Sequence, residues 1–237
     1  MEKRNGNGSA APDLRDQPNY PLREAAIYLG VPASTIRVWA LGGRYRTRLE
    51  GAKTAPPIFA PASRRPLTLS FLNLVEAYVL ASIRRRHEIS LQKIRKALRF
   101  VEGRCGIRRP LVEKEFLTDG VDLFVEHYSR LVNAVREGQI VCREVLVKSL
   151  RRIARDASGL PVRFSPWILS PAEPTSVEVD PGRAFGRLVV AGTGIPTESI
   201  AERFRAGDSV DHLACDFRLT RAQVEAALRW EQRASAA

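Results

Sequence analysis

Apolar positions recur with helical spacing at both ends of the chain. Leu22, Ala25, Ala26 and Leu29 fall at i, i+3, i+4 and i+7, one face of a short helix that opens with Pro21 and stops at Gly30. Val31-Pro32 makes a turn, and Ser34 is placed to cap a second helix running through Ile36 and Trp39 to Leu41, closed by Gly42-Gly43. Two short helices joined by a Gly-containing turn predict a helix-turn-helix within Tyr20–Leu41. Basic, Pro-rich Arg44–Pro66 carries two β-prone pieces, Pro57-Ile58-Phe59 and Leu67-Thr68-Leu69 lying just after it, which predict a hairpin wing. Ser70 then caps a long amphipathic helix with Phe71, Leu74, Val75, Tyr78 and Ala81 inward. After a break at His87-Glu88-Ile89, Ser90 caps another, with Leu91, Ile94, Ala97, Leu98 and Val101 inward.

The middle reads differently. Glu115–Leu117 and Val121–Val125 flank Thr118-Asp119-Gly120, the pattern of a β-hairpin around Asp-Gly. His127–Glu137 reads as a helix ended by Gly138, and Ile140–Arg155 fits strand or helix equally. Ser165–Glu178, with three prolines, reads as a linker. Near the end, Pro196 opens a helix with Ile200, Ala201 and Phe204 inward, Gly207 closes it, and Ser209 caps another through Val210, Leu213, Ala214 and Phe217. Thr220-Arg221-Ala222-Gln223 is a capping box ahead of Val224, Ala227, Leu228 and Trp230. Three short helices around one core predict a homeodomain-like bundle. The expected organisation is a mainly α chain with small β elements. It has a flexible arm at 1–19, a DNA-binding domain at 20–110, a central hairpin and assembly region at 111–164, a linker at 165–178 and a helical domain at 179–237.

Charge sharpens this picture. The net charge of +12 divides unevenly: residues 1–110 hold 21 Lys/Arg and 8 Asp/Glu (+13), leaving 17 against 18 (−1) for residues 111–237. A domain-sized positive field beside a neutral half fits a nucleic-acid-binding front joined to a back with another task. Ser34, Thr35 and Arg37 lie in the first turn of the second helix, the part that enters a major groove in this motif. Their hydroxyls suit phosphate oxygens, and Arg37 can reach a phosphate or a guanine edge. Arg44, Arg46, Arg48 and Lys53 in the loop, and Arg64 and Arg65 on the wing, add candidate backbone contacts. Trp39 is read as packing against Leu22 and Ile27. Arg84-Arg85-Arg86 either complements a helix dipole or touches DNA.

Signals for an enzyme are poor. His87, His127 and His212 have no metal or triad spacing, and Cys105, Cys142 and Cys215 have no paired spacing. Ala191-Gly192-Thr193-Gly194-Ile195 lacks the residues that follow a phosphate loop, so it is read as a tight structural turn. No cofactor, metal or catalytic residue is expected. With no apolar run near 20 residues and no signal-peptide core, a cytoplasmic protein is expected.

The stretch Leu22–Pro32 followed by Ser34–Trp39 resembles the start of MerR-like and excisionase-like winged helix-turn-helix domains, and Ser90–Leu98 resembles the helix after the wing in MerR-like proteins. That resemblance implies DNA contacts by Ser34, Thr35 and Arg37. Phe185–Thr197, with Ala206-Gly207-Asp208-Ser209 and Leu219-Thr220, is similar to a small domain common in bacterial antitoxins. The whole arrangement resembles VapB-family antitoxins with a MerR-like front. It implies a PIN-domain ribonuclease toxin as partner, repression of the shared operon, a homodimer on paired half-sites of its own operator, and no membrane partner. Arg163, Arg183 and Arg187 are candidates for the toxin contact. The other expectation is a free-standing MerR-like regulator sensing a small molecule.

Overall fold

In the computed structural model, residues 13–47, 51–84, 91–113, 121–132, 143–144, 146–166 and 176–235 are described. Strand β1 (Tyr20–Pro21) leads into α1 (Leu22–Leu29), where Pro21 is the N-cap, and Gly30 ends the helix at φ 58 with its N–H on Ile27 O. That left-handed turn is cheap only for glycine. Helix α2 (Ala33–Leu41) begins one residue before the expected cap. Pro32 takes the N-cap place and its carbonyl accepts the Thr35 and Ile36 N–H groups, so Ser34 is a first-turn residue and caps nothing.

Two hairpins follow where one was expected. Strands β2 (Gly43–Thr47) and β3 (Gly51–Ala55) pair antiparallel directly after α2. Pro57–Phe59 is not a strand, because its residues fold back along α2, with Ile58 N–H donating to Trp39 O at 2.7 Å. Strands β4 (Ser63–Arg64) and β5 (Leu67–Leu69) form the second hairpin, with Arg65-Pro66 at its tip, and β5 also pairs with β1.

Helix α3 (Phe71–Arg84) is buried along every residue from Phe71 to Ile83. The expected amphipathic stripe is overridden because neighbours cover the remaining sides. Helix α1, strand β5 and a C-terminal strand all pack against it, Phe164 lies 6.1 Å from Phe71 and 5.1 Å from Tyr78 between ring centres, and Leu72 N–H donates to Arg15 O. The final seven residues of the expected arm are therefore docked. Arg15 forms ion pairs with Asp13 and Asp156, and Asn19 donates to Phe185 O. Ser70 caps α3 as the sequence indicated, and the Asn73 side chain accepts the Ser70 N–H in return.

Helix α4 (Leu91–Cys105) buries Ile94, Ala97, Leu98 and Val101, and packs on α5 (Val121–Val132). The second strand of the expected Asp-Gly hairpin is thus a helix. Val121, Phe124 and Val125 are buried at i, i+3 and i+4, so packing on α4 overrides the β-propensity of Val and Phe. The first strand and the Asp-Gly turn lie outside the described residues, as do Ser90 and residues 133–142. The ambiguous Ile140–Arg155 segment holds both forms in order: residues 146–150 are helical, and β6 (Ile153–Arg155) follows.

Strands β6, β7 (Pro161–Phe164), β8 (Val177–Val179) and β9 (Leu188–Val190) form one antiparallel sheet in that order. The ends of the expected linker belong to the fold, Ser165 being buried and Val177-Glu178 lying in β8, while residues 167–175 are outside the described residues. The Gly192 turn after β9 is structural, with Thr193 N–H and Oγ1 both donating to Val190 O. Helices α6 (Thr197–Arg205), α7 (Val210–Phe217) and α8 (Arg221–Ser235) enclose a small core of Val190, Ile200, Ala201, Leu213, Val224, Ala227 and Leu228. Ser209 caps α7 through His212 N–H, and Thr220 and Gln223 form the anticipated reciprocal cap. Phe204, expected inward, is 40 % exposed. Trp230 joins the large core instead, bringing α8 against α1. The chain is mainly helical with small sheets.

Candidate nucleic-acid interface

Ala25, Tyr28, Leu29, Ile36, Trp39 and Ala40 form the buried seam between α1 and α2. Burying that seam leaves Ser34 and Arg37, three residues apart on α2, exposed on one face, with Thr35 half-buried beside them. The Thr35 and Ile36 N–H groups are taken by Pro32 O, and the helix dipole favours an anion at this end. The arrangement offers hydroxyls, a helix N-terminus and a guanidinium to a phosphate-lined groove.

Gly42 fixes the first hairpin to this helix. Its φ is 80, and a Cβ built there would lie 2.3 Å from Ala55 O, so only glycine lets β3 return so close to the end of α2. Together with the Ile58 N–H to Trp39 O bond, this makes the base of β2–β3 continuous with α2. Arg44 is exposed at the start of β2, and Arg46 lies two residues further along the same strand. Lys53 lies on β3; Arg48 is outside the described residues.

The second hairpin is held by a buried polar group. The Asn73 amide donates to Ala60 O at 2.8 Å and to Glu76 Oε2 at 2.9 Å, while its oxygen accepts from Ala62 and Ser70 N–H. Glu76 is in turn held by Arg109 at 2.8 and 3.1 Å. A buried amide and carboxylate satisfied in this way hold residues 60–62 against α3, and so fix where the next hairpin points. Arg64 and Arg65 stand exposed at its tip.

Trp39 is 1 % exposed, in the core as expected, with the Arg84 guanidinium 6.0 Å from its ring centre. Arg85 and Arg86 lie outside the described residues. The sequence pointed to the exposed basic residues and to Gly42 as a helix stop, but it missed the close approach at Gly42 and the part played by Asn73 and Arg109, which set the geometry. The Gly42 signal was present as Gly-Gly after an apolar helix; nothing local marks Asn73.

The toxin-contact candidates sit elsewhere, on the C-terminal half, and are paired. Arg163 lies 3.7 Å from Glu178, Arg183 lies 3.5 Å from Glu178 and 3.4 Å from Asp180, and Arg187 lies 3.7 Å from Glu198. Among the described residues no group of three or more His, Cys, Asp or Glu is placed to hold a metal, and no helix is long and apolar enough to cross a membrane.

Comparison with known proteins supports two of these regions by name. Residues 18–98 match the family described as "Putative DNA-binding HTH domain", and residues 177–230 match DUF433, described as a protein of unknown function. "Putative antitoxin VapB45" of Mycobacterium tuberculosis is 29 % identical over 90 % of this chain and 93 % of its own length. "Uncharacterized protein Rv2308" of the same organism is 23 % identical over 93 % of this chain and 92 % of its own. The X-ray structure of Rv2018 from Mycobacterium tuberculosis superposes with a TM-score of 0.66 at 23 % identity, covering 89 % of this chain and 97 % of that one, which is a likeness of fold. The chain is thus similar along nearly its whole length to a protein named as a putative antitoxin, with a helix-turn-helix match in front and a DUF433 match behind.

Proposed function

We propose that this chain is the antitoxin of a two-component pair, a non-enzymatic cytoplasmic protein that binds its own operator and neutralises a PIN-domain ribonuclease. The observation that carries the DNA half is the set of exposed cations around α2. Arg37, Arg44, Arg64 and Arg65 form no ion pair with a carboxylate among the described residues, so their charge is available to phosphates. On this reading the front is a MerR-like winged domain, with Ser34, Thr35 and Arg37 in the major groove. Arg44, Arg46, Arg64 and Arg65 lie along the backbone on either side. The three C-terminal helices form a homeodomain-like bundle used for assembly, and a homodimer spans two half-sites about one helical turn apart. The likeness to VapB45 over 90 % of the chain supports the toxin half.

Two measurements test it together. The full chain should bind a duplex from upstream of its own gene in preference to random duplex at moderate ionic strength. Co-expression should also render an adjacent ribonuclease gene harmless. Equal affinity for both duplexes removes the operator claim, and a toxin that stays lethal and fails to co-purify removes the antitoxin claim.

A further inference from the structure

Phe185 is 84 % exposed and sits in a left-handed backbone at φ 56, directly after Ala184 at φ 45. Two successive non-glycine residues in this region are costly, because Cβ crowds the following carbonyl. Their surroundings nonetheless hold them there. Gly186 N–H donates to Arg183 O at 2.8 Å, Arg187 N–H to Ala184 O at 3.2 Å, and Asn19 Nδ2 to Phe185 O at 2.8 Å. Gly186 itself, at φ 77, sits where a Cβ would lie 2.4 Å from Tyr20 Oη. A strained backbone fixed on every side, with its largest apolar side chain turned to water, is a signature of function and not of packing.

The ground around the ring has a definite chemistry. On one side Leu14, 58 % exposed, Pro18 and Pro181 extend the apolar surface. On the other, a cleft of about 480 Å³ opens between α1 and the C-terminal helices, floored by Ile27, Tyr28 and Trp230. Glu24, Glu198 and Glu231 line it with one cation among the lining residues, Arg187, which lies 3.7 Å from Glu198 and leaves the lining with an excess of carboxylates. The mouth is thus acidic in a chain of net charge +12. Burial, and then the Glu198 charge, push the Glu24 carboxyl above its ordinary range, while the Tyr28 hydroxyl donating at 2.6 Å and Arg187 act the other way. A cation arriving from outside would relieve this repulsion.

We propose that the face centred on Phe185 is the docking surface for a protein with a cationic groove, Phe185 entering as the apolar anchor while Glu24 and Glu198 meet the partner's lysines or arginines. This rests on the antitoxin reading and identifies the part of the toxin it covers. A ribonuclease must line the path of its RNA with cations, because RNA is a polyanion. An aromatic ring beside carboxylates offers that path the same two elements as an RNA base beside its phosphates. The contact therefore blocks substrate access, without a group inserted among the carboxylates of the catalytic site.

The test uses the full chain co-expressed with the ribonuclease encoded beside its gene, and measures the affinity of the purified pair, operator binding, melting temperature and mass in solution. Phe185→Gly should weaken the pair about tenfold or more, as loss of a central aromatic anchor does. It should also raise the melting temperature of the free protein, because glycine relieves the left-handed strain; a merely structural Phe would do the reverse. Glu198→Arg should slow association and flatten its salt dependence, with operator affinity unchanged in both variants. Capture by wild type with equal capture by both variants overturns the docking surface and leaves the antitoxin reading standing. No capture by wild type overturns both. A wild-type dimer that Phe185→Gly converts to monomer, with toxin affinity unchanged, assigns the face to a second copy and also overturns the proposal.

Discussion

The two ends of this chain carry similar side chains in opposite electrostatic circumstances. In front, Arg37, Arg44, Arg64 and Arg65 project from α2 and two hairpins with no ion pair among the described residues. Behind, several arginines are already held by carboxylates, although Arg205, Arg218 and Arg229 are exposed with no ion pair among the described residues. Arg203 lies 2.6 Å from Asp208 and 2.5 Å from Asp216, and Arg221 lies 2.7 Å from Asp211 and 3.0 Å from Glu225. Both regions contain a short helix, a tight turn and a second helix: α1–α2 turning at Gly30 and α7–α8 turning at Arg218, which also adopts a left-handed φ, of 53. The topological motif is therefore not what separates a DNA reader from an assembly module here. The distribution of carboxylates differs between them, and it gives the front the larger share of unpaired positive charge.

The strongest way to break this comparison is to disturb how the front surface is assembled. Gly42→Ala forces a side chain into a left-handed backbone, costing about 1–3 kcal/mol, and the overlap with Ala55 O adds to that. Denaturant unfolding should show the loss of stability. Operator affinity should fall further than stability alone accounts for, since β2–β3 shifts on α2. If both stay at wild-type values, the close approach at Gly42 is not what positions the hairpin.

Next comes the buried amide. Asn73→Ala leaves Glu76 and the Ala60 and Ala62 backbone groups short of a partner, for a loss of about 1–3 kcal/mol in folding stability. The Arg64-Arg65 tip loses its footing as well, so binding to all duplexes should weaken together. Normal binding in a destabilised Asn73→Ala protein would show that this tip does not touch DNA.

These two residues also mark the limit of what the sequence discloses. Gly30, Ser70, Ser209 and the Thr220–Gln223 box are local signals, each acting within four residues, and the structure places them as caps or stops just as their spacing implies. The pairing of β2 with β3, the full burial of α3 and the helix at Val121–Val132 depend on partners far along the chain, and periodicity within one window carries no record of them. The same is true of the arm. Leu14 to Asn19 read as polar and punctuated by proline, yet Arg15 finds Asp156 across 141 residues. The charge asymmetry was legible at once, whereas the pairing of Arg203 and Arg221 was not, because acidic and basic residues there alternate along the sequence without indicating which will meet.

A sharper comparison sets single arginines against each other. Arg37→Ala should cost about 1–3 kcal/mol of operator affinity and relax sequence preference if it reads a base. Arg64→Ala with Arg65→Ala should weaken all duplexes alike and reduce the salt slope by about one counterion per lost phosphate contact. Arg221→Ala should leave DNA binding unchanged, its charge being committed to Asp211 and Glu225. Fluorescence anisotropy across a salt series reads all three. A drop for Arg221→Ala equal to that for Arg37→Ala would place part of the DNA surface on α8.

The smallest effect concerns the clasp between arm and sheet. Asp156 accepts from Ser158 and Arg15, and these bonds hold its carboxyl down at about 2, against an ordinary value of 3.8. Because the folded value lies below the unfolded one, the clasp's contribution is complete above pH 4 and is lost as pH falls toward 2. The pair is partly solvated, so added salt weakens it. Arg15→Gln should remove part of the difference between unfolding midpoints measured at pH 5 and pH 3 that depends on Asp156, the Ser158 bond keeping the rest, with little change in operator affinity at neutral pH. The front surface is built from α2 and its hairpins, which Arg15 does not contact through its side chain. An Arg15→Gln protein that loses operator affinity at neutral pH would mean that the arm holds the DNA-reading surface in place as well as joining the two ends of the chain.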